Sequence, residues 1–464
     1  MTLTPRYLFA LMLLAIMPIS AQAIGVSLPA YEKVTLANGT QLLLMEKHDV
    51  PLVSMNIRIR GGALLDAPGK QGTSALLAEL MQKGAGSRDS QAFAEALDNS
   101  GGTLQIGSDM ETLQLSSEFM SSDARLMIEL SADALQRPLL SAESFAKVKE
   151  RAIQTIIGNK DSDPRALLGI YGQSWLFRDH AYGQPVNGDE SSQAQINLAD
   201  IQAQHKKLGG DRTLIAVVGD FKTAEMKKLL SAAFGEWRAA EGTLPIISAK
   251  QQEQGRRVLL VDKPDATQSY FWLGNVGVNR LDSELAAQNV VNTVFGGRFT
   301  SMLNTELRIK SGLSYGASSR LSRYQQPGAA YISSFTKTES TEKAIDLAIV
   351  TLDQLHQNGI SPETRTSAVN YVLGQYPPNL ETGPDLAEKL TELALYGLDR
   401  SDVDSYGNRI NTVSPAQLDA AIKIYPTREN LAIVIIGDAS KLRDVAKKYG
   451  PVTEIKITDP RYIP

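Results

Sequence analysis

NLADIQAQHKKLGGDRTLIAVVGDF, residues 197–221, and SPAQLDAAIKIYPTRENLAIVIIGDA, residues 414–439, are two copies of one pattern. Each reads as a helix opened by a capping residue, a polar turn, a continuous apolar run of buried-strand type, and a closing Gly-Asp. Gly219-Asp220 and Gly437-Asp438 stand at the same place in the two copies, and each pair leads into a short helix, 223–234 and 440–449. Upstream, Val258–Val261 and Tyr270–Asn275 occupy the place that the opening strands hold in the first copy. The chain is therefore expected to be a tandem duplication. A first domain spans 24–238 and a second 257–464, joined by a linker over 239–256 that carries Gly242, Pro245 and the polar run KQQEQG.

Within the first copy, Asn38-Gly39 between two apolar runs predicts a hairpin, with strands over 33–36 and 41–46. Residues 52–60 alternate strictly. Val53, Met55, Ile57 and Ile59 fall on one face, and Ser54, Asn56, Arg58 and Arg60 on the other, which predicts a strand with one face in solvent. After Gly61-Gly62, helices are expected over 73–83, 90–100, 122–136 and 142–158, with a strand over 112–118 between them. Asp163-Pro164 reads as an N-cap and first-turn proline opening another helix. Strands followed by helices, twice over, predict an α+β protein of two homologous domains, each a mostly antiparallel sheet with helices on one face.

Composition narrows the function classes. The 464 residues carry a formal charge of −4 and no basic block, which argues against nucleic acid as the main partner. There is no cysteine, so thiolate chemistry and Cys-based zinc sites are excluded. The four histidines, at 48, 180, 205 and 356, include no pair one helical turn apart. No P-loop or dinucleotide fingerprint is present. Residues 1–23, with Arg6, the apolar run 8–19 and Ala21-Gln22-Ala23, read as a cleaved export signal, which predicts a periplasmic location.

One corner of the second copy carries possible chemistry. Phe299, Leu303 and Leu307 recur every four residues, Met302 widens the stripe, and Gly312 stands where a left-handed helix stop would fall. Arg308 then lies in the last turn, and Tyr315 opens the next strand. Two such donors could converge on one carbonyl or oxyanion. An arginine that complements the helix dipole, beside an ordinary strand-opening tyrosine, fits the same spacing.

Taken together, these features resemble the pitrilysin-like zinc metallopeptidases, the group of insulysin and the mitochondrial processing peptidase. The resemblance rests on Gly61-Gly62, Gly69-Lys70-Gln71-Gly72 and Lys83-Gly84 in the first copy. In the second it rests on Gly296-Gly297, LRIKSGLSY (307–315) and GQYPPNLET (374–382). Active members carry H-x-x-E-H on the helix after the glycine loop, with a third zinc ligand, a Glu, on a later helix. Aligned on the resemblance, Ala75, Ala78 and Glu79 take the motif positions and Ile157 the third-ligand position, so this chain is expected to bind no metal and to cleave nothing alone. The resemblance further implies that Arg308 and Tyr315 reach substrate held at a zinc. In small bacterial members the zinc motif and this pair are often divided between two chains. The expected role is a non-catalytic, substrate-binding subunit of a heterodimeric peptidase acting on peptides or unfolded segments. Its zinc would be carried by a homologous partner with the intact motif. Gly296-Gly297 is read as close packing at a helix start. A non-enzymatic peptide-binding or scaffold protein, possibly a homodimer, is the alternative.

Overall fold

The computed structural model describes residues 26–264 and 266–464; the export signal expected over 1–23 lies outside them. The first sheet contains β1 (Glu32–Thr35), β2 (Gln41–Glu46), β3 (Leu52–Arg60), β4 (Thr103–Ser108), β5 (Thr112–Met120) and β6 (Thr213–Gly219), in the order β1-β2-β6-β3-β5-β4. The second contains β7 (Arg257–Asp262), β8 (Gln268–Val276), β9 (Ala317–Arg323), β10 (Pro327–Lys337), β11 (Ala432–Gly437) and β12 (Val452–Lys456), in the order β12-β7-β11-β8-β10-β9. The repeated apolar runs become β6 and β11. Each lies between a parallel neighbour (β2 or β7) and an antiparallel one (β3 or β8). The two orders differ only at one edge, where β1 runs antiparallel to β2 and β12 runs parallel to β7. The chain is thus two similar α+β halves. Residues 239–256 form neither helix nor strand.

Local signals set most elements. Asp89 caps the helix Ser90–Ser100 by accepting from Ala92 N–H, and Gly101, with φ 62°, stops it. Helix α1 (Thr73–Leu80) ends three residues before the expected Lys83, and α2 (Ala142–Ser162) runs four residues past the expected Gly158. Asp163 and Pro164 then open α3 (Pro164–Phe177) as expected. Strand β4 was not anticipated, because only Leu104 and Ile106 alternate in so short a run.

The larger difference concerns β3. Its polar face is not in solvent: Ser54, Asn56 and Arg58 are buried along with Val53, Met55, Ile57 and Ile59. The cover is α4 (Gly383–Tyr396), a helix of the second half. Thr391 Oγ1 donates to Asn56 Oδ1 at 2.6 Å, and Arg58 reaches Glu388 at 3.0 Å. Arg60 donates to the carbonyls of Ala394 and Leu395, which are exposed at the end of α4. Around these bonds Leu386, Leu390 and Leu393 pack on Leu43, Leu214 and Val218.

The second half receives the reciprocal cover. Helix α3 of the first half lies on β8 and β11, where Leu168 and Tyr171 pack with Trp272, Val434 and Ile436. Gly172 lets the helix approach, since a Cβ there would stand 2.7 Å from the Trp272 indole. Gly383 does the same at the start of α4, where a Cβ would stand 2.5 Å from Ser54 Oγ. Each sheet therefore has its own helices on one face and a helix lent by the other half on the opposite face. No helix among the described residues is long and apolar enough to cross a membrane.

Candidate functional site

The N-terminus of α1 is held by Asp66. Its carboxylate accepts from Gly72 N–H (2.8 Å), Ser74 N–H (2.9 Å) and Ser74 Oγ (2.6 Å), and Gln204 Nε2 adds a fourth bond at 3.2 Å. Burial raises the Asp66 carboxyl to about 6, against the pull of these donors and of nearby Lys207. The helix so anchored packs against α2, and it carries no zinc-binding chemistry. Ala75 and Ala78 offer no donor atom, and Ile157 on α2 is a partly exposed apolar side chain. Glu79, which the sequence leaves as a lone carboxylate, forms an ion pair with Arg151 of α2. These residues do not fit a zinc ion, and no cluster of three His, Cys, Asp or Glu placed to hold a metal occurs among the described residues. The histidines are otherwise engaged. His180, His205 and His356 each bond a main-chain carbonyl. His48 lies between Asp220 (2.7 Å) and Glu46 (3.3 Å), which hold its proton to higher pH.

The corner in the second half is built differently from its expectation. Ser301 caps a single α-turn, Met302–Asn304, after which the chain widens into a π-helix over Thr305–Lys310. Gly312, with φ 63°, ends it and donates to the carbonyl of Arg308 at 3.2 Å. Leu303 and Leu307 are fully buried in the second core, but Phe299 is not part of their stripe. It precedes the helix, is 56 % exposed, and lies with its ring 4.7 Å below the Arg308 guanidinium. Tyr315 is 80 % exposed and sits two residues before β9, so it belongs to the bend and not to the strand. The bend is tied back by Ser314 N–H, which donates to the Leu307 carbonyl at 3.0 Å. Ser311 Oγ donates to the same Leu307 carbonyl and to that of Glu306, which also accepts the Ser311 main-chain N–H at 3.2 Å.

A second π-helix, Thr293–Gly297, precedes this corner. Gly296 is buried in it against β9, where a Cβ would stand 2.2 Å from Ser319 N. That is close packing, but at the end of a helical run that begins at Leu285 and not at the helix start that the sequence predicts. Among the described residues, neither Arg308 nor Tyr315 has an ion-pair partner or a side-chain hydrogen bond, and Phe299 is the group recorded against Arg308. Phe299 and Ser314 were missed by sequence reasoning. Phe299 had been assigned to the core by its spacing, and Ser314 contributes through its main chain.

Comparison with known proteins gives the family and the fold. Residues 42–190 match the family described as insulinase (peptidase family M16), and residues 195–371 match the peptidase M16 inactive domain. A Helicobacter pylori protein named non-peptidase homolog YmxG is 23% identical, with 94% of this chain and 99% of that protein aligned. An uncharacterized zinc protease of Mycobacterium tuberculosis is 25% identical over 89% of this chain and 94% of its own length. Two solved structures share the fold. One is a peptidase M16 inactive domain from Pseudomonas fluorescens (TM-score 0.81, 22% identity, 88% of this chain and 98% of that one). The other is a protease from Helicobacter pylori (TM-score 0.80, 18% identity, 88% and 100%).

Proposed function

Because the chain belongs to the peptidase M16 family, we propose that it is the non-catalytic, substrate-binding subunit of a heterodimeric metallopeptidase acting on peptides or unfolded segments. The observation that carries this reading is a contrast between the halves. At the degenerate motif, the positions are filled by groups without donors or already paired: Ala75, Ala78, Ile157, and Glu79 against Arg151. At the other corner, Arg308 and Tyr315 are exposed and keep their donors free. Such exposed donors can reach a substrate, whereas the motif positions have nothing to offer a metal. The likeness to a protein named a non-peptidase homologue points the same way.

On this reading a homologous chain with an intact H-x-x-E-H motif brings zinc, water and general base, and the two chains enclose the peptide in the periplasm. Arg308 and Tyr315 act as hydrogen-bond donors to the peptide carbonyl, and to the oxyanion as it forms. The Phe299 ring leaves the in-plane N–H groups of Arg308 free to do so. Co-expression with a zinc-motif homologue, followed by size exclusion and a peptidase assay, tests this directly. The expected result is a stable heterodimer whose turnover drops on the order of 10²–10³-fold in Arg308→Ala. A homodimer that ignores the homologue, or an active heterodimer indifferent to Arg308→Ala and Tyr315→Phe, overturns it.

A further inference from the structure

Directly after Tyr315 the chain enters the wall of a cleft of about 440 Å³ that sequence reasoning did not find. One wall is the first two turns of α3, with Arg165, Leu168 and Gly169, and the other is β9 from Gly316 to Arg320. The floor is the outer face of β8 and β10. There Trp272 stacks on Tyr331 (centroids 5.2 Å apart) and Tyr270 on Phe335 (6.0 Å). The cleft exists only because a helix of one half lies across the sheet of the other, so neither copy alone contains it.

Its charge is one-sided. Arg165 and Arg320 line it, and no Asp or Glu does. Among the described residues neither arginine has an ion-pair partner. Arg165 lies over the Phe335 ring at 4.9 Å, and Arg320 pairs in register with Tyr331 across β9 and β10, close enough for its charge to act on the Tyr331 hydroxyl. Asp163, whose charge acts on Tyr270, does not line the cleft and caps α3 by accepting from Ala166 N–H. A guanidinium without a carboxylate partner keeps its N–H groups available, in the fork geometry that matches a carboxylate. The hydroxyls of Ser318 and Ser333 are hydrogen-bonded to each other at 3.1 Å on the same face, which leaves one hydroxyl hydrogen of the pair to donate.

We infer that this cleft binds a carboxylate of a peptide, with Arg165 and Arg320 as its two-pronged receptor and the stacked aromatic pairs as the floor for the adjoining residues. This deepens the reading above by naming the substrate chemistry, and it rests on that reading for the premise that peptides enter this face. A Glu or Asp side chain and a chain-terminal carboxylate present the same group, and the test separates them.

The test is binding to the full chain alone, without any partner, read by fluorescence anisotropy. Four fluorescein-labelled peptides of equal length are compared: an amidated one with two central Glu residues, its amidated Gln counterpart, and an alanine peptide both with a free terminal carboxylate and as its amide. The Glu peptide is expected to bind roughly tenfold or more tightly than the Gln peptide if side chains are the ligand. A like preference for the free carboxylate over its amide identifies the terminus instead. Either preference should vanish in Arg165→Gln and in Arg320→Gln, which lie on different elements, and persist in Arg125→Gln, an exposed arginine elsewhere. Equal binding of all the peptides, or a preference that survives both substitutions, overturns the inference. Because no turnover is measured, the outcome is independent of whether an active heterodimer forms.

Discussion

Leu307 and Ser314 are joined by a main-chain hydrogen bond of 3.0 Å, and the residues that follow them are Arg308 and Tyr315. The bond therefore fixes the helix turn and the bend from which the two exposed side chains leave. It crosses the Gly312 stop, so the pair is tied together by backbone and not by any contact between the side chains.

Phe299 is expected to tune Arg308 without supporting the fold. At 56 % exposure it contributes little burial, and its recorded contact is the guanidinium above it. An exposed cation–π pair is worth about 0.5–1 kcal/mol, so Phe299→Ala should lower turnover of the proposed heterodimer roughly two- to fivefold. Thermal unfolding of the chain should stay within about 0.5 kcal/mol of the parent. A loss as large as that of Arg308→Ala would give Phe299 a role of its own.

The helix exchange predicts opposite effects for two glycines on one helix. Gly172→Ala would place a methyl 2.7 Å from the Trp272 ring and should destabilise by about 1–3 kcal/mol. Gly169→Ala, nearly one turn earlier on α3, meets nothing within 4 Å and should stabilise by about 0.5–1 kcal/mol through helix propensity. Denaturant unfolding of the two variants side by side measures the difference.

Asp66 gives a pH dependence with a definite sign. Its carboxyl is raised from 3.8 to about 6 in the folded chain, so folding favours the protonated form. The stability it contributes is complete below about pH 4 and is lost as pH rises through about 6. At about 1.4 kcal/mol per pH unit of displacement, that loss is on the order of 3 kcal/mol. Asp66→Asn removes the titration. The unfolding free energy of the parent relative to this variant should therefore fall between pH 4 and 7, and a flat difference would contradict the assignment.

Zinc analysis of the purified chain is expected to find no stoichiometric metal. The combined changes Ala75→His, Ala78→Glu, Glu79→His and Ile157→Glu should bring zinc uptake toward one ion per chain, read by elemental analysis. They rebuild a donor set on two helices that already pack together. Failure of that variant to bind zinc while remaining folded would mean that these positions do not correspond to a metal site.

The duplication, the places of β6 and β11, and the buried face of β3 were all legible, because each follows from spacing within a single segment. The other face of β3 was not. Asn56 and its partner Thr391 are 335 residues apart, and the sequence of β3 alone shows a strand with a wet side. The π-turn at Arg308 was illegible for another reason. It slips the helical hydrogen bonds by one residue and leaves no mark on the apolar pattern, so Phe299 was counted into a stripe that ends at Leu303. At the degenerate motif the loss of donors was readable residue by residue, but the Glu79–Arg151 pair required the packing of α1 on α2.

The lent helices also set a schedule for synthesis. The last strand of the first sheet ends at Gly219, but the helix that covers its polar face is not finished until Tyr396, about 180 residues later. A chain that emerges N-terminus first leaves the first half with one sheet face bare until those residues follow. Ser54, Asn56, Arg58 and Arg60 are the polar part that β3 gives that face, beside the apolar Leu43, Leu214 and Val218. Their polarity suits two environments in turn, solvent during the wait and a hydrogen-bonded interface once α4 arrives.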